Sequence, residues 1–324
     1  MQRTVILLGP QLAQPTIGGV LAELGIRKQV ALVHAGYQER ESDDAALIAT
    51  FGVPAVNLGL HRRGVEVFRE DKPFTEAYQA RQQRLRHMQS FYRVRLDKTE
   101  DAAKTISLRY VEPELLSQEE KVSVDQFRGL DSEHLERCAA VRTAFDKKWK
   151  ASERPAIARH IDELRDTLAS VEALVISGGH VASLYNRLAL FDVLGQLGDK
   201  PVIAWSAGAM VLTDRIVIFH DFPPYGSDIA QVLDAGFGIA QGVVVLPDPK
   251  RRVNFDAHAG IQRFARRMAP ATAVAMDAGS RLVFEHGKLV LAAATRLSTT
   301  GDVEHNWDGS PTRFSTPHRF GIHV

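Results

Sequence analysis

Residues 201–212 read PVIAWSAGAMVL: an apolar run, Val202 to Trp205, leads straight into Ser206, then Ala-Gly-Ala, then an apolar helix-forming segment. A serine carried at the tip of a strand-to-helix turn needs small neighbours, because the backbone must fold back tightly on itself. Ala207, Gly208 and Ala209 supply them. A helix that starts behind the serine also offers free N–H groups and a positive partial charge, both of which favour an oxyanion. Two readings follow from this stretch alone. Ser206 is a nucleophile on an elbow, or it is an N-cap after a buried strand.

Upstream, LVISGGHVASLYNRL (residues 174–188) repeats the pattern of strand, tight loop and helix, with Gly178-Gly179 in the loop. In parallel α/β sheets such loops gather at the carboxyl ends of the strands, where ligands bind. The N–H groups of Gly179 and Ala207 are then candidate oxyanion donors, with His180 facing the same cleft. The loop has neither the GxGxxG form nor the GK[ST] of a P-loop, so no nucleotide cofactor is expected.

Further strands are predicted at Thr4–Leu8, Gln29–His34, Ala55–Leu58 and Val243–Leu246. Three closing strands follow near Thr272–Met276, Leu282–Glu285 and Leu289–Ala292. Thr16 is predicted to cap a first helix, and the acidic stretch from Glu39 to Gly52 to form another. Short apolar strands alternating with helices predict an α/β fold, with a mostly parallel sheet covered on both faces. Between residues 74 and 150 the pattern changes to Arg, Gln, Glu and Lys. Leu85, Met88, Tyr92 and Leu96 recur there at helical spacing, as do Leu135, Cys138, Val141 and Phe145. This segment is expected to be a helical insertion whose stripes pack on each other or on a second subunit, which makes a homodimer through the arm reasonable. The α/β domain then comprises residues 1–73 and 151–297, and 298–324 reads as a polar, irregular tail.

The bulk numbers exclude several classes. Of the 324 residues, 45% are hydrophobic, and 40 basic against 39 acidic side chains leave a net charge of +1. That balance gives no whole-chain footprint for nucleic acid or an anionic membrane. No apolar run approaches the ~20 residues of a membrane span. A lone cysteine, Cys138, excludes an internal disulfide and a cysteine zinc cluster, which fits a reducing cytoplasm. The tail histidines His305, His318 and His323 lack helical metal-ligand spacing, and no metal is expected.

The pair SGGHVASLYNRL and AWSAGAMVL resembles the serine peptidases of family S51, which include α-aspartyl dipeptidase and cyanophycinase, within the class I glutamine amidotransferase-like superfamily. The segment QVALVHAGYQERESDD is similar to that family's second strand and following loop. The resemblance covers about residues 1–60 and 160–292. It implies a three-layer, flavodoxin-like fold and hydrolysis of a peptide or isopeptide bond in a small, acidic peptide or other small-molecule substrate. It matches Ser206 to the nucleophile, Gly179 and Ala207 to the oxyanion hole, and Asp221 to a functional aspartate. Where the family carries a histidine after the next strand, this chain has Asp248. The expected base is His258, with His220 and His180 as alternatives. The same departure supports a second expectation, a ligand- or partner-binding protein with a degenerate site.

Overall fold

The structure, a computed structural model, describes residues 3–219 and 229–310. The first half runs β1 (Thr4–Leu8), α1 (Ile17–Glu23), β2 (Val30–Val33), α2 (Ala45–Ile48), β3 (Ala55–Asn57), α3 (Leu60–Glu70), α4 (Lys72–Ser107), α5 (Pro113–Trp149) and α6 (Pro155–Ser170). The second runs β4 (Leu174–Ile176), α7 (Val181–Leu190), α8 (Val193–Gln196), β5 (Val202–Trp205), α9 (Ala207–Leu212), β6 (Arg215–Ile218), β7 (Gln231–Ala235), β8 (Val243–Pro247), α10 (His258–Met268), β9 (Thr272–Met276), β10 (Arg281–Glu285), β11 (Lys288–Leu297) and β12 (Val303–Trp307). The result is a large, mostly parallel central sheet flanked by helices, the α/β class expected from the sequence.

The parallel half has the order β3-β2-β4-β5-β1. Apart from the half-buried edge strand β3, these strands are buried on both faces, so they read as unbroken apolar runs. Successive side chains nevertheless divide between two cores, as the period of two demands. Val5, Leu7, Val33, Ile176 and Ala204 pack on one face, in the core that also holds Leu60, Ile161, Leu184 and Val211 from α3, α6, α7 and α9. Ile6, Leu8, Leu32, Val175 and Trp205 pack on the other, with Ile17 and Leu21 of α1 and with Phe51. Register brings Leu8 opposite Trp205, Ala204 opposite Ile176, and Ile176 opposite Val33. The carboxyl ends of β1, β5, β4 and β2 therefore finish level with one another.

From β1 the ladder turns antiparallel through β10 to the long β11, which also pairs with β9 and β12, and β8 lies parallel to β9. The strand β12 departs from the irregular segment expected after Ser298. Its sequence VEHNW is polar enough to read as coil, but backbone pairing with β11 holds it. A two-stranded sheet, β6 with β7, was also not foreseen. The acidic stretch forms a 3₁₀ turn over Ala35–Arg40 and the single-turn α2 rather than one helix. Thr16 makes no side-chain cap. Gln11 Oε1 reaches in instead and accepts the N–H groups of Thr16 (2.7 Å) and Ile17 (2.9 Å). No helix among the described residues is long and apolar enough to cross a membrane.

Helices α4 and α5 form an antiparallel hairpin. Leu85, Met88 and Cys138 close one small core between them, and there burial pushes the Cys138 thiol up to about 12. The hairpin is also docked on the second half of the domain by buried charge. Arg267 of α10 donates to both oxygens of Asp131 on α5 (2.7 Å each), to Tyr92 Oη on α4 (2.8 Å) and to the Ala230 carbonyl (2.8 Å). Tyr92 in turn donates to Asp131 (2.7 Å). Burial works against the Arg267 cation, but the hydrogen bonds and charge of Asp131 outweigh it and hold its pKa above the ordinary value.

A buried pair broken on one side leaves an uncompensated charge, which costs about 3–5 kcal/mol. Asp131→Ala is therefore expected to lower unfolding stability by about that amount in urea denaturation at neutral pH. The double change of Asp131→Leu with Arg267→Met, which removes both charges, is expected to recover most of the loss.

Candidate active site

The level carboxyl ends bring together loops that are far apart in sequence. Ser206 stands at φ 51°, ψ −126°, between β5 and α9. A non-glycine residue in this region costs about 1–3 kcal/mol and persists only where its surroundings impose it. Two contacts impose it here. A Cβ on Gly208 would lie 2.4 Å from the Ile176 carbonyl, so only glycine lets α9 start this close to the end of β4. A Cβ on Gly178 would lie 2.9 Å from Ser206 Cβ and 3.5 Å from Ser206 Oγ. Ser206 Oγ is half-buried and has no hydrogen-bond partner among the described residues.

The Gly178-Gly179 loop is clamped from its other side by the turn after β2. A Cβ on Gly36 would meet the Gly178 carbonyl at 2.2 Å, and one on Gly179 (φ +102°) would meet the Gly36 carbonyl carbon at 2.3 Å. The His180 N–H closes the clamp on the Gly36 carbonyl at 2.7 Å. This leaves the N–H groups of Gly179 and Ala207 without an acceptor among the described residues, flanking Ser206.

Beneath the loop lies a polar layer that sequence reasoning missed. His34 Nδ1 is 2.8 Å from Ser177 Oγ, and Ser177 Oγ donates to the Val33 carbonyl (3.1 Å). The His34 ring stacks on Tyr37 with centroids 4.2 Å apart. The Tyr37 hydroxyl lies 3.8 Å from the same Gly178 Cβ position that Ser206 Oγ approaches, so it borders the serine's cleft. The next residue, Gln38 (φ 57°, ψ −120°), is held in the same rare backbone as Ser206, and its amide donates to Ser183 Oγ (2.7 Å). The available signal was positional: His34 to Tyr37 directly follow a buried parallel strand.

The candidate bases are placed as follows. His180 caps α7. Its Nδ1 accepts the Ser183 N–H at 3.2 Å and lies 3.0 Å from Ser183 Oγ, and its Nε2 carries no partner among the described residues. His258, the first residue of α10, is 65% exposed at its side chain, faces Asp302 at 3.9 Å and packs under Gly301. No hydrogen bond joins it to Ser206. Asp248 follows Pro247, which pairs with Met276. That pairing sets Asp248 beside the turn whose Asp277 carbonyl packs on Gly9 at the end of β1. Its carboxylate lies 4.0 Å from Arg251. His220 and Asp221 lie outside the described residues. Among the described residues no three His, Cys, Asp or Glu side chains converge as a metal site.

No protein-family model matches the chain, and no curated protein matches it. Solved structures similar to it include two peptidase structures. One is a peptidase from an acI-B1 Actinobacterium, 12% identical with a TM-score of 0.46, the match covering 92% of each chain. The other is a candidate peptidase E protein from Listeria monocytogenes EGD-e, 8% identical with a TM-score of 0.43, covering 92% of this chain and 100% of that one.

Burial drives the His34 pKa below its ordinary value, against the upward pull of Asp44 and Asp43. The unfolded chain then takes up a proton near pH 6.5 while the folded chain does not, so stability falls as pH drops through that value. His134 and His160 are shifted downward as well, again by burial first, and add to the same trend. His34→Gln is expected to flatten the loss of stability between about pH 7 and pH 5, read as urea midpoints against pH. An unchanged slope would place His34's protonation outside the folding equilibrium.

Proposed function

We propose that the chain is a serine hydrolase of peptidase type, with Ser206 as its nucleophile. One observation carries the reading: a strained serine at a strand-to-helix turn whose hydroxyl, like the N–H groups of Gly179 and Ala207 beside it, meets no partner among the described residues. A structural N-cap serine would satisfy a helix N–H from a relaxed backbone. Ser206 does neither.

In this reading Ser206 Oγ attacks the carbonyl carbon, and the new oxyanion is received by the N–H groups of Gly179 and Ala207. A hydroxyl needs a base to take its proton. We assign that role to His180 over His258. His180 adjoins an oxyanion donor, and its Nε2 has no partner among the described residues, whereas the exposed His258 faces Asp302 at 3.9 Å. The histidine gives that proton to the departing amine as the C–N bond breaks, then takes one from the water that attacks the acyl enzyme and returns it to Ser206 Oγ as the acid leaves. A peptide or isopeptide bond of a small, acidic substrate follows from the resemblance of the elbow and the Gly-Gly loop to the aspartyl dipeptidases and cyanophycinases.

A second reading has its own support. No histidine is hydrogen-bonded to Ser206 among the described residues, and Asp248 stands where the family's histidine is expected. On this reading the elbow is a scaffold and the cleft binds a ligand without turnover.

Labelling with a fluorophosphonate probe separates the two. The wild-type protein is expected to be labelled at Ser206 and Ser206→Ala to be silent, with hydrolysis of Asp-containing dipeptides falling at least about a thousandfold in that variant. His180→Ala is expected to lose labelling rate by at least about a hundredfold, and His258→Ala to stay within about twofold of wild type. A folded wild-type protein that resists the probe supports the ligand-binding reading. A loss in His258→Ala with His180→Ala unaffected overturns the assignment of the base.

A further inference from the structure

Between the helical hairpin and α7 lies a cavity of about 390 Å³, separate from the Ser206 cleft. Its polar wall is Arg81 of α4. The guanidinium sits in the corner formed by the Tyr78 and Phe145 rings, whose planes meet at 81°, at 4.4 and 4.3 Å from their centroids, and its side chain is only 10% exposed. Arg81 Nε and the Tyr78 hydroxyl are both buried, and neither meets a partner in hydrogen-bonding geometry. The nearest acid, Asp146, is 3.8 Å away and two-thirds exposed at the rim.

Buried polar groups without partners are uncommon and call for an explanation. Arg142, in the same wall, shows the ordinary solution: Asp234 neutralises it and Asn186 accepts from it. Arg187, Arg281 and Arg296 also hide an unpartnered Nε, but none of them lines this cavity beside a second orphan. Burial lowers the Arg81 pKa, as expected for a cation short of counter-charge.

We propose that this cavity binds a small organic carboxylate, held by Arg81 and Tyr78. A guanidinium held in the corner of two rings has little freedom to turn, and its planar fork of N–H donors suits the two oxygens of a carboxylate. The Tyr78 hydroxyl supplies one further donor. Of the lining cations, Arg142 is hydrogen-bonded to Asp234 and Lys150 to Glu153, which leaves Arg81; with Asp146 and Asp192 also in the wall, the charge balance favours a monoanion over a phosphate dianion. The flanking rings of Tyr78, Phe145 and Tyr185 accept an apolar body, and the volume suits a ligand the size of an amino acid or dipeptide.

The test uses the full chain with 3-phenylpropionate, its neutral amide and inorganic phosphate as probes, read by calorimetric titration and by melting temperature. The carboxylate is expected to bind and to raise the melting temperature, and the amide to do neither. Arg81→Met is expected to weaken carboxylate binding on the order of a hundredfold, while the unliganded variant melts no lower than wild type because it sheds a buried, under-paired charge. Tyr78→Phe, which keeps the ring, is expected to weaken binding about tenfold, and Arg81→Lys to weaken it although the charge remains. The proposal is overturned if the amide binds as well as the acid, if no carboxylate binding is seen, or if Arg81→Met and Tyr78→Phe bind like wild type. Arg81-dependent binding of phosphate alone overturns the assignment to a carboxylate.

Discussion

Backbone-to-backbone contact at the carboxyl edge of the sheet is the constraint on which the site depends. Gly36, Gly178, Gly179 and Gly208 bring the ends of β2, β4 and β5 closer than any side chain allows. Each hypothetical Cβ there would fall 2.2–2.9 Å from a neighbouring heavy atom, shorter than van der Waals contact. Without that approach the Gly178-Gly179 loop could not reach over Ser206, and the serine would have no reason to hold its strained backbone. The four glycines do no chemistry. They set how closely the Gly178-Gly179 loop approaches Ser206 and the start of α9.

Packing beneath the loop continues the same logic. Ser177 and His34 replace what would otherwise be apolar core under the edge that carries Ser206, and Tyr37 stands on His34 with its hydroxyl toward the cleft. On the far side of the domain, Asp131 and Arg267 bind the helical hairpin to α10 and β7 by a fully satisfied network, not by an apolar seam alone. In both places a polar group is buried only where geometry completes its partners, the condition under which burial of such groups is tolerated.

Much of this was legible in the chain. Unbroken runs such as TVILL, VALV and VIAW admit few other readings, because a parallel strand covered on both faces has no polar side to show. The SAGA turn and the Gly-Gly loop announced the elbow through small residues placed where bulk would clash. What stayed hidden depended on partners distant in sequence. Nothing local in VEHNW predicts a strand, since its pairing with β11 supplies the order. His34 and Tyr37 look ordinary until register sets β2 beside β4. The proximity of His258 to Asp302 rests on where the turn after β11 falls against α10, which no spacing reveals.

The hairpin's two ends have their own consequence. Asp71, which caps α4, and Arg154, at the start of α6, form a two-pronged ion pair (2.8 Å for the Nη2–Oδ1 prong) although they stand 83 positions apart. The arginine's hydrogen bonds, first among several influences, hold the Asp71 carboxyl below its ordinary pKa. To the rest of the chain the whole helical segment therefore enters and leaves at nearly one point. Because closing a loop costs entropy only with the logarithm of its length, a hairpin pinched in this way can change length at its exposed tip, around Leu108 and Tyr110, at little cost to the sheet that carries Ser206.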